Sequence, residues 1–503
     1  MRTLQRASLA IRRDPTLGDL MHRLAAIHGD RLVVDEPGAP DLRLTYRQAA
    51  KRIARWAGGI RAQIEPGDRV VVAAPNGYRF FLLCLAASRA GGIVVPVNPL
   101  MRPDEIRHVI DDSGASFVVR APEEVDAADP LLEPEPTRPD DVAALFYTSG
   151  TTAKPKGARL THKALVGQMA AMAMYPNRLR HDEAVLALPV AHIMGFAVLA
   201  GLATAGIPVH FLPQFHPKEV LDALQERRAS IFVGVPAMYR MMLEAGAADR
   251  DLSSVRLWAS GADVMPEDLA RQFKRFGAAV TLPLLGRSFG DAAFAEGYGM
   301  VEVGGGVAAK ISPPMFDLGV GDFLGFALPG YEMRVVDEEG EEVRPGEVGE
   351  LLVRGPGVLK GYHDDEERTA EVLTDDGWLR TGDLGRRGRF GMVRFAGRQK
   401  DVVMHGGYSV FSVEVEKALE EHPAVAEAAV VGLPDDRVGE VPAAAVRLVE
   451  GAELTEEALL EWAHAHMADY KAPRRVVFVE EFVRTGTNKV QKSAVRELFP
   501  PLA

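Results

Sequence analysis

The feature that most constrains this chain is an alternation of helix and strand patterns that begins at Thr45. Thr45 is placed to cap a helix with Tyr46, Ala49, Ile53, Trp56 and Ile60 on one face. Gly67-Asp68 turns the chain into a strand over 69–74, a second helix spans about 79–90, and Gly91-Gly92 ends it before a strand over 93–97. A third unit ends in a strand over 116–119. Short apolar strands joined by helices favour a parallel sheet covered by those helices, so the expected class is α/β.

Residues 121–140 are acidic and hold five prolines, which reads as a connector. A buried strand over 142–147 follows, and strands and helices alternate to about residue 282. Over 318–396 short strands alternate with Gly and Pro turns, the pattern of a β-rich subdomain. From 398 the pattern changes again. A helix over 412–422 stopped by Pro423, strands over 427–433 and 443–448, a helix from Thr455 and a strand over 475–479 make a compact α+β unit. The expected division is a large N-terminal domain of αβ-layered subdomains plus the β-rich subdomain, residues 1–397, and a small C-terminal α+β domain, residues 398–503.

Composition narrows the function. The chain of 503 residues has 58 Lys and Arg against 70 Asp and Glu, a net charge of −12. Such a balance argues against nucleic acid or an anionic membrane as a partner, so any anionic ligand must be held by local groups. Cys84 is the single cysteine, which excludes an intrachain disulfide and a zinc–cysteine cluster and suits the cytoplasm. The first residues carry Arg2, Arg6, Arg12 and Arg13 with no acid before Asp14, and read as an amphipathic start in preference to a transit peptide. Residues 184–217 lack charge, but Pro189, His192, Gly206, Pro208 and His210 interrupt them. They read as a buried helix and strand, not a membrane span.

The chemistry concentrates in Tyr147-Thr148-Ser149-Gly150-Thr151-Thr152-Ala153-Lys154-Pro155-Lys156-Gly157. Four Ser/Thr hydroxyls, two lysines and two glycines follow directly on a buried strand. Glycines let backbone N–H groups approach an anion, hydroxyls add donors and lysines add charge, so a polyphosphate is the natural guest. The spacing is not that of a Walker loop, because Pro155 stands where Gly-Lys would be needed.

With this loop in hand, the chain resembles the adenylate-forming superfamily of acyl-CoA synthetases, luciferases and nonribosomal adenylation domains. The resemblance spans nearly the whole chain. It includes Pro189-Val190-Ala191-His192, Ser260-Gly261-Ala262-Asp263, Gly297-Tyr298-Gly299-Met300-Val301-Glu302, Trp378-Leu379-Arg380-Thr381-Gly382-Asp383, Gly397-Arg398-Gln399-Lys400-Asp401, Gly406-Gly407 and Arg484-Thr485-Gly486-Thr487-Asn488-Lys489. It implies an AMP-forming acyl-CoA synthetase. A carboxylic acid, expected to be a fatty acid from the apolar residues over 232–242 and the space left by Gly304-Gly305-Gly306, attacks the α-phosphate of ATP. CoA then takes the acyl group from the adenylate. The expected cofactors are ATP, Mg²⁺ and CoA, with an acyl carrier protein as the alternative acceptor and a binding-only relative as the rival.

The same resemblance implies the roles. Lys489 is the catalytic cation between carboxylate and α-phosphate, and nearby Lys492 is read as a surface charge. Glu302 holds Mg²⁺ with Thr148. Thr148, Ser149, Gly150, Thr151, Thr152 and Lys156 bind phosphates. Gly261, Ala262, Tyr298, Gly299, Met300 and Val301 line the adenosine site. Asp383 accepts the ribose hydroxyls from a strand-to-turn position, and Arg398 binds ribose or phosphate. His192 is expected near the substrate carboxylate, with a core histidine as its rival reading. Lys400 is the hinge of a mobile C-terminal domain, and Gly406 and Gly407 meet the incoming CoA. The chain departs from the family pattern at Ala153, Glu296, Val301, Val483 and Asn488.

Overall fold

The computed structural model describes residues 2–12, 14–99, 101–127, 129–148, 155–177, 181–282, 287–314, 323–388, 391–435, 437–484 and 489–500. The chain divides into two compact units, residues 1–332 with 354–377, and residues 333–353 with 378–503.

The first unit is built on two large sheets, beside the short pair Val280–Leu282 and Arg287–Phe289. One runs in the order Phe117–Val119, Arg69–Val72, Ile93–Pro96, Val142–Thr148, Lys156–Thr161. Its first four strands pair in parallel and the last closes antiparallel. The Thr45 cap is present as a reciprocal box: Gln48 N–H donates to Thr45 Oγ1, and Gln48 Oε1 accepts from Thr45 N–H. The helix it starts, Tyr46–Arg61, buries Tyr46, Ala49, Ile53, Trp56 and Ile60. The proline-rich connector lies against this layer: Leu131 N–H donates to Ala54 O, and Arg89 Nε–H donates to Leu131 O.

The second sheet has nine strands, with parallel pairs through Leu257–Gly261, Ile231–Gly234, Ala184–Leu186 and Val209–Phe211. Ala293–Met300 joins Leu257–Gly261 in parallel, and Gly305–Ser312 folds back antiparallel on it. The charge-free stretch therefore opens with a strand before the expected helix, Ile193–Ala205. That helix is apolar all round because it is buried on nearly every side. Among the described residues, no helix is long and apolar enough to cross a membrane.

One expectation fails here. The apolar residues over 232–242 do not form an acyl wall at Phe232, Tyr239 and Met242. These three are fully buried and pack with Trp258, Phe273 and Phe294 as core. Phe232 meets Tyr239 of helix Pro236–Glu244 and Trp258 of the neighbouring strand.

The second unit holds a four-stranded sheet, Glu332–Val336, Val348–Arg354, Leu379–Arg387 and Val393–Arg398. It also holds a five-stranded sheet around the hairpin Val425–Asp435 and Gly439–Leu448. Successive residues of that hairpin are buried on opposite faces. Val430 and Ala444 pack toward helices Ser412–Glu420 and Glu456–His466, and Val431 and Ala445 toward Val495 and Phe499.

Candidate active site

The phosphate-type loop is the turn of an antiparallel hairpin. Thr148 pairs with Lys156, so the two ends of the loop face each other across the ladder. Ser149, Gly150, Thr151, Thr152 and Ala153 lie outside the described residues. The Lys156 ammonium sits 5.3 Å from the centroid of the Tyr362 ring. Desolvation, then the charge of Arg368, lowers its pKa.

In the nine-stranded sheet, the parallel pairing of Leu257–Gly261 with Ala293–Met300 ends in bare backbone, with Gly261 opposite Gly297. Gly297 is open: a Cβ added there would meet no heavy atom within 4 Å. Ala262 carries φ of +68°, a conformation that costs a non-glycine residue energy and clusters at functional sites. Two residues beyond Gly297 the backbone is crowded: a Cβ on Gly299 would lie 1.8 Å from Gly305 O. Tyr298, half-buried, stands between them, and the ladder slips by a bulge at this point.

Met300 leads into the one-turn 3₁₀ segment Val301–Val303 that carries Glu302. The Glu302 carboxylate accepts the Tyr362 hydroxyl at 3.1 Å, and its backbone carbonyl accepts Leu359 N–H at 2.8 Å. The next two carbonyls are also held, Val303 O by the Tyr331 hydroxyl at 3.2 Å and Gly304 O by Gln168 Nε2 at 3.4 Å. Burial, then the Glu302 charge, pushes the Tyr362 phenol pKa well up, so it stays a donor. Among the described residues no group of three His, Cys, Asp or Glu side chains could cage a metal. A single firmly mounted carboxylate does fit Mg²⁺, which takes one or two protein carboxylates and fills its shell with phosphate oxygens and water.

His192 is the N-cap of Ile193–Ala205, and its Nδ1 accepts Met194 N–H at 3.3 Å. The residue is half-buried and caps the helix, so it is not a core histidine. Glu296 pairs with the buried Lys310 at 3.1 Å, directly opposite on the next strand. Burial raises its pKa from 4.5 to about 7 against the pull of Lys310.

In the second unit, Asp383 and Arg398 are cross-strand partners, with Oδ1 and Nε 3.3 Å apart. Asp383 is 4% exposed. It lies inside strand Leu379–Arg387, not at the strand-to-turn position expected. The preceding Gly382, at φ of +67°, supplies the irregularity that the sequence presented as a turn. Lys400 occupies the short turn Gln399–Asp401 that follows Arg398. Gly406 and Gly407, at φ of +57° and +83°, form the two-residue turn of the hairpin Val402–His405 and Tyr408–Phe411. Lys489 is half-buried, one residue before Val490, which bridges to Arg484; residues 485–488 lie outside the described residues. Lys492 is no free surface charge. It binds Glu416 at 2.8 Å and Ser412 Oγ at 2.7 Å, pinning the last helix to helix Ser412–Glu420.

Within the first unit the structure thus brings Lys156 and Glu302 to Tyr362, with Thr148 opposite Lys156 on the ladder, and sets Gly261, Ala262 and Gly297 along one bare edge. In the second it joins Asp383 to Arg398. Tyr362 was absent from the sequence-derived set. Its partner Glu302 is 60 residues away, and a Gly-Tyr pair outside any named motif carries no signal of that contact.

A family model described as AMP-binding enzyme matches residues 21–133 and 121–363, and one described as AMP-binding enzyme C-terminal domain matches 414–489. A feruloyl-CoA synthase of Amycolatopsis sp is 34% identical over 483 residues, covering 91% of this chain and 94% of that protein. A fatty acid–[acyl-carrier-protein] ligase of Streptomyces coeruleorubidus is 30% identical over 491 residues, covering 91% of this chain and 92% of that one. The solved structure of ATP-bound MatB from Rhodopseudomonas palustris superposes with a TM-score of 0.82 at 29% identity, covering 96% of this chain and 98% of that one.

Proposed function

The chain belongs to the AMP-binding enzyme family, and on that premise we propose that it is an acid–thiol ligase, an AMP-forming acyl-CoA synthetase. The observation that carries the reading is the mounting of Glu302 beside the two ends of a Gly/Ser/Thr/Lys-rich loop, with Lys156 across the same tyrosine. A carboxylate held next to an ammonium at the mouth of such a loop suits a metal–polyphosphate. The bare edge Gly261, Ala262 and Gly297 suits a flat base approached through backbone.

In the first half-reaction a carboxylate oxygen of the acid bonds to the α-phosphorus, and the bond to pyrophosphate breaks. In the second the CoA thiol gives up its proton, its sulfur bonds to the acyl carbon, and AMP leaves. Both transition states gather negative charge, so fixed cations dominate. Lys156 and the loop hydroxyls hold the outer phosphates. Lys489 draws the acid and the α-phosphate together. Asp383, aligned by Arg398, accepts the ribose hydroxyls. Mg²⁺, held by Glu302 with Thr148, supplies neutralisation of the phosphate oxygens when bound. His192 beside the acid, Lys400 as hinge, Gly406-Gly407 at thiol entry, the boundary at 397/398 and a cytoplasmic location belong to the same proposal.

The acid is apolar. A fatty acid is the sequence-based candidate, though its argument loses Phe232, Tyr239 and Met242 to the core. An aromatic acid is the second reading, supported by the 34% identity to a feruloyl-CoA synthase. The carrier-protein acceptor is supported by the 30% identity to an acyl-carrier-protein ligase. Incubation with ATP, Mg²⁺, CoA and a panel of both acid classes, followed by product mass, tests the reading. AMP and an acyl-CoA are expected. ADP and phosphate would overturn it, and acyl transfer to a phosphopantetheinyl carrier alone would move the acceptor.

A further inference from the structure

We infer that Tyr362 is a positioning residue for the phosphate end of the site: its hydroxyl aims the Glu302 carboxylate while its ring face holds the Lys156 ammonium. The inference rests on the reading of Glu302 as the metal-holding carboxylate.

The geometry isolates this role. Glu302 rides on a single turn of 3₁₀ helix whose backbone is fixed by the hydrogen bonds from Leu359, Tyr331 and Gln168, so the Tyr362 hydroxyl bears on the aim of the carboxylate itself. Tyr362 is 6% exposed, and its hydroxyl lies 3.1 Å from Glu302 Oε1. The segment bearing it is tied down on both sides. Lys360 N–H donates to Arg159 O, Arg159 N–H to Gly361 O, and His363 N–H to Gly157 O, all within 3.0 Å. Tyr362 N–H donates to Thr369 Oγ1 at 2.9 Å. Gly361, at φ of +113°, lets this segment lie close: a Cβ there would meet Thr369 Cγ2 at 2.7 Å and Arg159 Nη2 at 2.8 Å. The strand that anchors Tyr362 is the one that begins at Lys156, so loop end and Glu302 turn share a single reference.

A phenol suits this post. It gives the carboxylate one directed hydrogen bond without neutralising it, so the negative charge remains for a cation. Its ring quadrupole attracts the ammonium to the face, away from the hydroxyl end. One side chain therefore keeps a carboxylate and an ammonium close and separately oriented. Partners that orient a metal ligand typically govern metal affinity.

The test is calorimetric titration of ATP, with and without Mg²⁺, into the full chain as wild type, Tyr362→Phe, Tyr362→Leu and Glu302→Gln. Thermal midpoints are read alongside. Tyr362→Phe is expected to hold metal-free ATP affinity within about twofold and to cut the Mg²⁺-dependent gain about 10- to 100-fold. Tyr362→Leu should also weaken metal-free binding, because Lys156 loses the ring. A Tyr362→Phe protein with the wild-type Mg²⁺ gain, while Glu302→Gln loses it, overturns this inference and leaves the metal reading standing. Equal losses with and without Mg²⁺ would mark Tyr362 as merely structural and also overturn it. A Glu302→Gln protein that keeps the gain overturns the metal reading and this inference together.

Discussion

Gly297 and Gly299, two residues apart on one strand, should respond oppositely to an added methyl group. At Gly297 an alanine Cβ meets no heavy atom within 4 Å, and its backbone is outside the left-handed region. Folding stability should therefore stay within about 0.5 kcal/mol of wild type. The open space there is the edge assigned to adenosine, so the methyl group collides with the nucleotide instead of the protein. An overpacking cost of about 1–3 kcal/mol corresponds to a loss of roughly 5- to 150-fold in ATP affinity. At Gly299 the same methyl group lies 1.8 Å from Gly305 O and 2.7 Å from Gly305 C. Both are backbone atoms of the paired strand, and contacts this short force the ladder apart just ahead of Glu302. Gly299→Ala should lose about 3 kcal/mol or more of stability. Thermal denaturation and ATP titration by calorimetry read the two effects separately. Gly297→Ala binding ATP like wild type would refute the adenosine edge. A destabilised Gly297→Ala would refute the open-space argument itself.

Other perturbations separate further parts of the account. Lys489→Ala should slow acid-dependent adenylation by about 10²–10³-fold. It should spare thioester formation from a synthetic acyl-adenylate, and equal loss in both steps would contradict the assignment. Glu296 has a folded pKa raised from 4.5 to about 7, so the folded chain binds its proton more tightly than the unfolded chain. Its contribution is present below pH 4.5 and is lost as pH rises through about 7. The fall in thermal midpoint between pH 5 and pH 8 should be shallower in Glu296→Gln, and an unchanged slope would contradict this. His192→Ala should cost about 1 kcal/mol through the lost cap, and His192→Asn should restore stability. If His192 also meets the acid, Asn should leave the KM for the acid raised; full recovery of activity would reduce His192 to a cap.

Much of the architecture was legible because periodicity follows burial. The Tyr46–Arg61 face, the glycine stops and the parallel strands all express one rule, that apolar stripes must be covered. Motif order supplied the candidate site residues, since loop composition speaks directly about phosphate chemistry. What stayed hidden depended on contacts between distant segments. Phe232 reads equally as pocket wall or core until Trp258 and Tyr239 are seen packed on it. Lys492 reads as surface until Glu416 and Ser412 are found beside it. Tyr362 has no local signature, because its importance lies in what 206 residues of separation from Lys156 bring together. Asp383 was proposed from its motif, but its place within a strand was masked by the glycine before it.

The central claim is that an acid is joined to AMP before any thiol acts. It is tested most directly by exchange of labelled pyrophosphate into ATP, with Mg²⁺ and each acid of a fatty and aromatic panel, in the absence of CoA. The account predicts exchange that requires an acid, needs no CoA and disappears in Lys489→Ala. Acyl-CoA formation with no acid-dependent exchange, or with release of ADP, would contradict it.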